Sequence, residues 1–270
     1  MTDISRTALM AAAARAAHLI VDDEPHVFSD PLAAPLLGER AEELLAYHRL
    51  HGEHPVLAGA RAQVVCRSRF AEDTLHASGH TQYVLLGAGL DSYAHRAAGP
   101  EVRVFEADRA ATQEYKRDAV RSAGLGGAVQ YVAVDFERDD LVTRLAAHGF
   151  DPSLPAVVAW LGVTMYLTPS SVARTVAAVA RLAPGSILVL DHMVPEADRD
   201  AAAGAYVAAV GPLNASHGEP WLSFFSPAGM AGVLSGFATD HVSQEQLLGD
   251  RTDALRPSNL TWITRGTLRR

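Results

Sequence analysis

The sequence predicts an α/β fold built on a doubly wound, mostly parallel sheet of seven strands with an antiparallel edge. Short apolar segments, separated by helix-like segments, recur at about 83–86, 102–107, 129–134, 156–160 and 187–190. Such alternation is typical of right-handed βαβ units with parallel strands. Two more strand-like segments, 237–242 and 260–265, follow without a convincing helix between them, which favours an antiparallel, hairpin-like edge.

The N-terminal part of the chain is predicted to be helical. Residues 5–20 are rich in alanine, a strong helix former, and Ser5 is suited to the N-cap position. Asp30 and Pro31 are suited to the cap and first position of another short helix. Further helices are expected at 39–50 and 58–76.

Helices are also expected between the strands and beyond the fifth strand. Their predicted ranges are 91–97, 110–122, 139–147 and 170–182. The segment 192–236 is long for a connection and should hold a helix at 201–210 and a loop at 211–220. A long insertion at the carboxyl end of a sheet is a common place for a substrate lid.

The first strand ends in a glycine-containing loop that indicates a nucleotide-like ligand. Gly87 and Gly89 let the backbone turn sharply and let a ligand approach the main chain. Asp108 lies 21 positions after Gly87, close to the ~20 expected for a carboxylate that binds ribose hydroxyls. After the third strand, Asp135 is expected to accept from an adenine amino group and the Phe136 amide to donate to a ring nitrogen.

The residues that follow the loop favour S-adenosylmethionine over a dinucleotide. The dinucleotide fingerprint G-x-G-x-x-G has glycine at its sixth position, where this chain has Ser92. A diphosphate would also be repelled by the carboxylate of Asp91, whereas an adenosyl cofactor with a cationic centre would not.

Several motifs resemble the leucine carboxyl methyltransferase-like family of S-adenosylmethionine-dependent methyltransferases. Residues 86–92, LGAGLDS, resemble the family's LGAGLDT signature. Other similar motifs occur in matching order at 7–8 with 15–16, 28–33, 67–70, 105–108, and 151–152 with 162–167. The resemblance implies a Rossmann-like class I fold, and we expect the chain to fall in the bacterial small-molecule O-methyltransferase branch.

The resemblance also implies roles for individual residues. Arg67 would bind the carboxylate of the cofactor's methionine part with its planar guanidinium; a surface salt bridge is the alternative. The first helix would cover the cofactor and bring Thr7 and Arg15 inward; packing over the sheet edge is the alternative. The chain departs from the family at Leu161 in the cofactor wall, where an acid usually holds the cofactor's amino group.

Candidates for the acceptor side follow from the chemistry of methyl transfer. The acceptor must lie close and in line, with water excluded. A hydroxyl acceptor needs a base, whereas a carboxylate is already ionised. His192, expected directly after the fifth strand and facing the crevice, is the candidate catalytic base, with a structural histidine as the alternative, and His217 is second. Candidate substrate residues, each with core packing as the alternative, are Tyr166, Trp221, Phe224 and Phe225.

Charge and composition argue against several kinds of partner. The net charge is −8 and no basic run is present, so we expect no nucleic acid partner. One cysteine, Cys66, permits no intrachain disulfide, which with no export signal predicts a cytoplasmic protein. No segment approaches the ~18–20 apolar residues of a membrane span. The histidines at 48, 51 and 54 match no standard site, so we expect no metal.

The sequence therefore predicts an S-adenosylmethionine-dependent O-methyltransferase acting on a hydroxyl or carboxylate of a small molecule, such as a natural-product intermediate. The alternatives are an NAD(P)-dependent oxidoreductase and a cofactor-binding protein without turnover, which Leu161 favours. The oligomeric state is not indicated. We expect a single domain over 1–270, with a helical cap at 1–78, a cofactor-binding core at 79–191, a lid insertion at 192–236 and terminal strands at 237–270.

Overall fold

The centre of the molecule is a mixed sheet, described here from a computed structural model that covers residues 5–251 and 255–269. Its strands are β1 (Gln82–Leu86), β2 (Arg103–Asp108), β3 (Val129–Ala133), β4 (Val157–Trp160), β5 (Ile187–Met193), β6 (Phe237–Ser243) and β7 (Thr261–Leu268). Within these described ranges the sheet has seven strands in the order β3-β2-β1-β4-β5-β7-β6. The pairs among β1–β5 are parallel, and β7 is antiparallel to its neighbours. The predicted fold class is confirmed.

The last two strands form the predicted antiparallel edge, and only the segment between them differs from the prediction. β7 lies inside the sheet, because it pairs with β5 on one side and with β6 on the other. A short helix, Gln244–Leu248, follows β6, so the prediction of no helix there was wrong. Its start carries a capping box between Ser243 and Gln246, a local sequence signal that can be read as a helix start.

Helices cover the sheet on both faces. Their bounds are α1 (Arg6–Val21), α2 (Ala33–Leu36), α3 (Ala41–His51), α4 (Pro55–Ser78), α5 (Tyr93–Arg96), α6 (Ala110–Ser122), α7 (Leu141–Ala147), α8 (Pro169–Val179), α9 (Ala201–Ser216), α10 (Pro227–Val233) and α11 (Gln244–Leu248). The predicted end of the insertion helix at residue 210 was wrong, because α9 continues through Pro212. The sequence prediction ended the helix before Pro212 because an interior proline removes one backbone donor and its ring crowds the carbonyl four residues earlier.

Alternate residues of each strand pack in two separate cores. Leu86, Val158 and Leu190 belong to the core under α7, α8 and α10. The neighbouring Leu85 and Val189 belong to the core under α4 and α11. Since consecutive strand residues point to opposite faces, a shift of one residue decides which core a side chain enters.

A buried ion-pair network joins the helices that precede β1. The Arg61 guanidinium in α4 donates to both carboxylate oxygens of Asp22, at 2.7 and 2.8 Å, and His18 also contacts Asp22, at 2.8 Å. Burial acts to raise the pKa of Asp22, but the hydrogen bonds with His18 and Arg61 outweigh it and the pKa is lowered. The network therefore holds the end of α1 to α4 with an ionised carboxylate in the interior.

We expect Arg61→Ala to lower the free energy of unfolding by about 3–5 kcal/mol, because it leaves the Asp22 carboxylate buried without its cation. Urea denaturation of the wild type and the variant measures the change in the free energy of unfolding. Arg121→Ala is the matched control, since the Arg121–Asp118 pair is exposed and should change stability by less than about 1 kcal/mol. Equal losses in the two variants would contradict a structural role for the buried network.

Candidate active site

The loop after β1 forms a tight cradle at the carboxyl edge of the sheet. Gly87 and Gly89 have φ angles of +66° and +50°, in the left-handed region that strains other residues. A Cβ at Gly87 would lie 2.5 Å from a methyl of Val163, and one at Gly89 would lie 3.2 Å from the Cβ of Ala8 in α1. The loop is therefore enclosed by α1 and by the segment after β4.

Asp108, the last residue of β2, is fixed against this loop. Its two carboxylate oxygens accept hydrogen bonds from the amides of Gly89 and Arg109, each at 2.7 Å. Burial raises the pKa of Asp108, and the two amide hydrogen bonds oppose that rise. Each oxygen retains a further lone pair, so the geometry is compatible with hydrogen bonds from a ribose diol.

Asp135 and Phe136 lie just beyond β3, at the same edge of the sheet. The Asp135 carboxylate is exposed and accepts from the Glu137 amide at 3.0 Å, while its own amide donates to Asp139 at 2.8 Å. The partly buried Phe136 ring packs against the core under α7 and α8. These residues are placed where the prediction requires, and their contacts with adenine remain a prediction.

Arg67 in α4 reaches the ends of β4 and β5. Its Nη1 donates to the Asp191 carboxylate at 3.0 Å, and the other oxygen of that carboxylate accepts from the Gly162 amide at 2.5 Å. Gly162 has φ +70°, and the Arg67 guanidinium occupies the space that a Cβ there would need. Leu161, directly after β4, is partly buried against the α4-side core. The Arg67 side chain is 14% exposed, so it is not a surface ion pair.

A second group of buried charges holds the N-terminal helices to the glycine loop. Arg15 in α1 donates to the Asp30 carboxylate at 2.8 Å and to the Leu90 carbonyl at 2.6 Å. The Ser92 hydroxyl donates to Asp30 at 2.6 Å. Burial acts to raise the pKa of Asp30, but Arg15, Ser92 and Arg96 together lower it. Serine at the sixth position of the glycine motif is thus a contact point for the cap.

An aromatic cluster lies at the carboxyl ends of β4 and β5, beneath α9. Tyr166, Trp221 and Phe224 belong to it, as does Tyr206 of α9, which the sequence analysis missed. The Tyr206 and Trp221 rings are stacked, with centroids 6.4 Å apart and planes 17° from parallel. Phe225 packs instead against the core under α8 and α10, so the structure separates it from the cluster.

The tyrosines of this cluster have raised pKa values. Burial raises the pKa of Tyr166, while hydrogen bonding with Trp221 and the charge of Arg67 act in the opposite direction. Burial also raises the pKa of Tyr206, and the nearby Tyr166 raises it further. Both hydroxyls therefore stay protonated at neutral pH and can donate hydrogen bonds to an acceptor.

The sequence profile of the family described as leucine carboxyl methyltransferase matches residues 8–180. A relative in Mycobacterium tuberculosis, provisionally named an S-adenosyl-L-methionine-dependent methyltransferase, is 35% identical over 208 residues, or 71% of this chain and 67% of the relative. A protein given the same provisional name in Saccharopolyspora erythraea is 35% identical over 72% of this chain and 69% of its own length. The chain belongs to the leucine carboxyl methyltransferase family.

Solved structures share the fold of this methyltransferase. A provisionally named methyltransferase from Thermobifida fusca has a TM-score of 0.63 and 21% identity, covering 87% of this chain and 92% of its own. A DUF574 family protein from Streptomyces avermitilis has a TM-score of 0.62 and 16% identity, covering 95% and 97%. The recognition of the family, the fold class and the dependence on S-adenosylmethionine are confirmed.

The donor set at the cradle fits S-adenosylmethionine. At the carboxyl edge of the sheet the methyltransferase carries a cation, Arg67, and an acid, Asp108, together with glycines at 87 and 162 that leave no room for side chains. Charge of both signs suits a zwitterionic amino-acid tail and a neutral diol better than a diphosphate.

Among the residues that the structure describes, no group of three His, Cys, Asp or Glu side chains could hold a metal ion, and no helix could span a membrane.

The predicted position of His192 in this methyltransferase was wrong. β5 extends to Met193, so His192 lies inside the strand. Its side chain points into the core on the face of the sheet opposite to that of Asp191. It is fully buried, and its Nδ1 and Nε2 contact the Phe225 carbonyl at 2.8 Å and the Thr264 hydroxyl at 3.1 Å. Burial lowers its pKa to about 4. Both nitrogens are engaged away from the crevice, which matches the alternative of a structural histidine.

The insertion closes onto the start of α1. His217 is exposed; its Nε2 contacts an Arg6 nitrogen at 2.5 Å and its Nδ1 contacts the Leu213 carbonyl at 2.6 Å. Glu219, which the sequence analysis missed, accepts from the Ser5 hydroxyl at 2.5 Å and from the Thr7 amide at 3.2 Å. The predicted lid segment and the N-terminal helix are thus joined above the aromatic cluster.

We expect Asp108→Ala to weaken the affinity for S-adenosylhomocysteine by roughly 2–3 kcal/mol, the scale for hydrogen bonds to a charged group. Isothermal titration calorimetry measures the change, with Asp118→Ala as an exposed acidic control. Unchanged affinity in a folded Asp108→Ala variant would remove Asp108 from the cofactor site.

The lowered pKa of His192 predicts a pH dependence of stability. Between about pH 6.5 and pH 4 the unfolded chain binds a proton at this residue that the folded chain does not, so this residue lowers stability as pH falls. Urea denaturation across this range should show a smaller loss for His192→Gln than for the wild type. An NMR titration of the His192 ring with its midpoint near pH 6.5 would contradict the buried, neutral state.

Proposed function

We propose that this methyltransferase methylates the carboxylate of a small molecule with a flat, apolar body, such as a natural-product intermediate. The observation that carries the proposal is the cluster of Tyr166, Tyr206 and Trp221, which stands beside Arg67 at the ends of β4 and β5. Ligand sites of open α/β sheets lie at this edge. The Arg67–Asp191 side would receive the cofactor's amino-acid end, and the aromatic side would receive the acceptor.

The shape of the cluster favours a flat acceptor. Tyr206 and Trp221 present nearly parallel rings, and the apolar surface is extended by Met165 and Phe224. Aromatic rings interact favourably with other planar rings beyond the burial of apolar area. A small molecule is preferred to a protein tail because the insertion is already joined to the cap through Glu219.

The hydrogen-bond donors of the cluster favour an anionic acceptor group. The tyrosine hydroxyls remain protonated, so they can donate to an acceptor oxygen without removing a proton from it. S-adenosylmethionine supplies an electrophilic methyl on a sulfonium sulfur, which keeps the electron pair when the carboxylate oxygen takes the methyl. No proton leaves the acceptor in that transfer.

The histidines support the same choice of acceptor. A hydroxyl acceptor would need a base, and the ring nitrogens of His192 and His217 are both engaged with other groups. A carboxylate needs only to be held in line and kept from water, which the closed insertion can do. The family is also named for methylation of a leucine carboxyl group.

We further propose that the methyltransferase acts in the cytoplasm without a nucleic acid or membrane partner. The net charge of −8 disfavours binding to phosphate backbones or anionic lipids. The thiol of Cys66 is buried, and burial raises its pKa to about 12, which makes it unreactive toward disulfide exchange.

A panel of matched aromatic carboxylic acids and phenols, offered with labelled S-adenosylmethionine, tests the proposal. We expect label in base-labile methyl esters of the acids and little or none in the phenols. Methylation of phenols alone, or of protein C-termini in preference to the free acids, would overturn it.

With a carboxylic acid acceptor in hand, Trp221→Ala should raise its KM about tenfold, because the stacked platform is lost. Affinity for S-adenosylhomocysteine should change little. Tyr47→Ala is the matched control, since Tyr47 is an exposed aromatic residue of α3. A Trp221→Ala variant with unchanged KM would place the acceptor elsewhere.

A further inference from the structure

We propose that Asp191 is a positioning residue of the cofactor site and supplies, from β5, the negative charge that the neighbouring Leu161 does not. It would hold Arg67 and the Gly162 turn in the geometry that receives the amino-acid end of the cofactor, and provide the negative charge at that wall. The inference depends on the cofactor alone and not on the identity of the acceptor.

The register of the sheet places the two residues side by side. Trp160, the last residue of β4, pairs with Leu190 of β5, so Leu161 directly after β4 and Asp191 in β5 are the residues that follow this pair. Adjacent strands lie about 4.8 Å apart, and paired residues point to the same face. Leu161 packs on the α4 side and Asp191 meets Arg67 of α4, which confirms the shared face.

The Asp191 carboxylate contacts both Arg67 and the turn at Gly162. One carboxylate oxygen accepts from the Arg67 guanidinium and the other from the Gly162 amide. The side chain of Asp191 is only 1% exposed, and Arg67 is 14% exposed, so the cation is held with part of its surface still accessible. A buried carboxylate with both oxygens engaged fixes the orientation of a long, flexible arginine side chain.

Residue 162 has to be glycine because of its backbone conformation and because Arg67 lies against it. Its left-handed backbone turns the amide toward Asp191, and a Cβ would collide with the Arg67 guanidinium. The turn, the cation and the acid therefore form one unit, the Asp191–Arg67–Gly162 unit. Because S-adenosylhomocysteine carries the amino-acid tail and methylthioadenosine lacks it, the two ligands separate this unit from the adenosine part of the site.

The experiment measures the affinities of both ligands by calorimetry for the wild type and for Asp191→Asn, which keeps the shape and removes the charge. We expect S-adenosylhomocysteine to bind about 10–100-fold more weakly and methylthioadenosine to bind within about twofold of the wild type. Asp240→Asn is the matched control, since Asp240 pairs with Arg265 at the surface, and it should change neither affinity.

A second variant places an acid at the neighbouring position 161. Leu161→Glu in the Asp191→Asn background should regain most of the lost affinity for S-adenosylhomocysteine, because it returns a negative charge to the same wall. Failure to regain it, in a variant that still binds methylthioadenosine normally, would overturn the assignment of this negative charge to Asp191.

Two other outcomes would also overturn the proposal. Equal weakening of both ligands by Asp191→Asn would mean that Asp191 only maintains the fold. Tighter binding of S-adenosylhomocysteine would mean that Asp191 competes with the cofactor for Arg67. None of these binding measurements requires an acceptor, so they stand or fall separately from the proposed carboxylate methylation.

Discussion

The Asp30 carboxylate connects the N-terminal helices to the cofactor loop, and the rest of the site depends on that connection. Arg15 and Ser92 both bind it, and Arg15 also binds the carbonyl of Leu90 within the loop. Through these bonds α1 is held over Gly89, where Ala8 lies against the loop. A buried carboxylate is costly to leave unpaired, so the cap and the loop keep a defined relative position.

Local patterns in the sequence were sufficient for the sheet and for the positions of Gly87, Asp108 and Asp135 at its carboxyl edge. Apolar segments that end in Gly87, Asp108 or Asp135 depend only on strand length and on which end of a parallel strand faces the crevice. The error at His192 came from strand length: β5 runs three residues beyond 190, and the alternation of faces turned the side chain away from the crevice. One misjudged strand end thus changed a candidate base into a core residue.

Contacts between distant parts of the chain could not be predicted in this way. Arg67 and Asp191 are 124 positions apart, and Glu219 meets Ser5 across 214 positions. Tyr206 lies in an alanine-rich helix whose sequence gives no sign that one face covers an aromatic cluster. Such pairings follow from strand order and helix docking, which only the folded chain specifies. The motif resemblance pointed to Arg67, but only the structure shows that Asp191 binds it.

The internal position of β7 has a consequence for how the chain is assembled during translation. Among the strands that the structure describes, β6 pairs only with β7, which is synthesised after it, so β6 has no strand to pair with when it leaves the ribosome. The edge of β5 likewise stays unpaired until β7 arrives. Unpaired strand edges promote association between chains, and non-local pairing is slow to form. A nascent chain stalled after β6 would therefore be prone to aggregation, and completing the sheet must wait for one late strand.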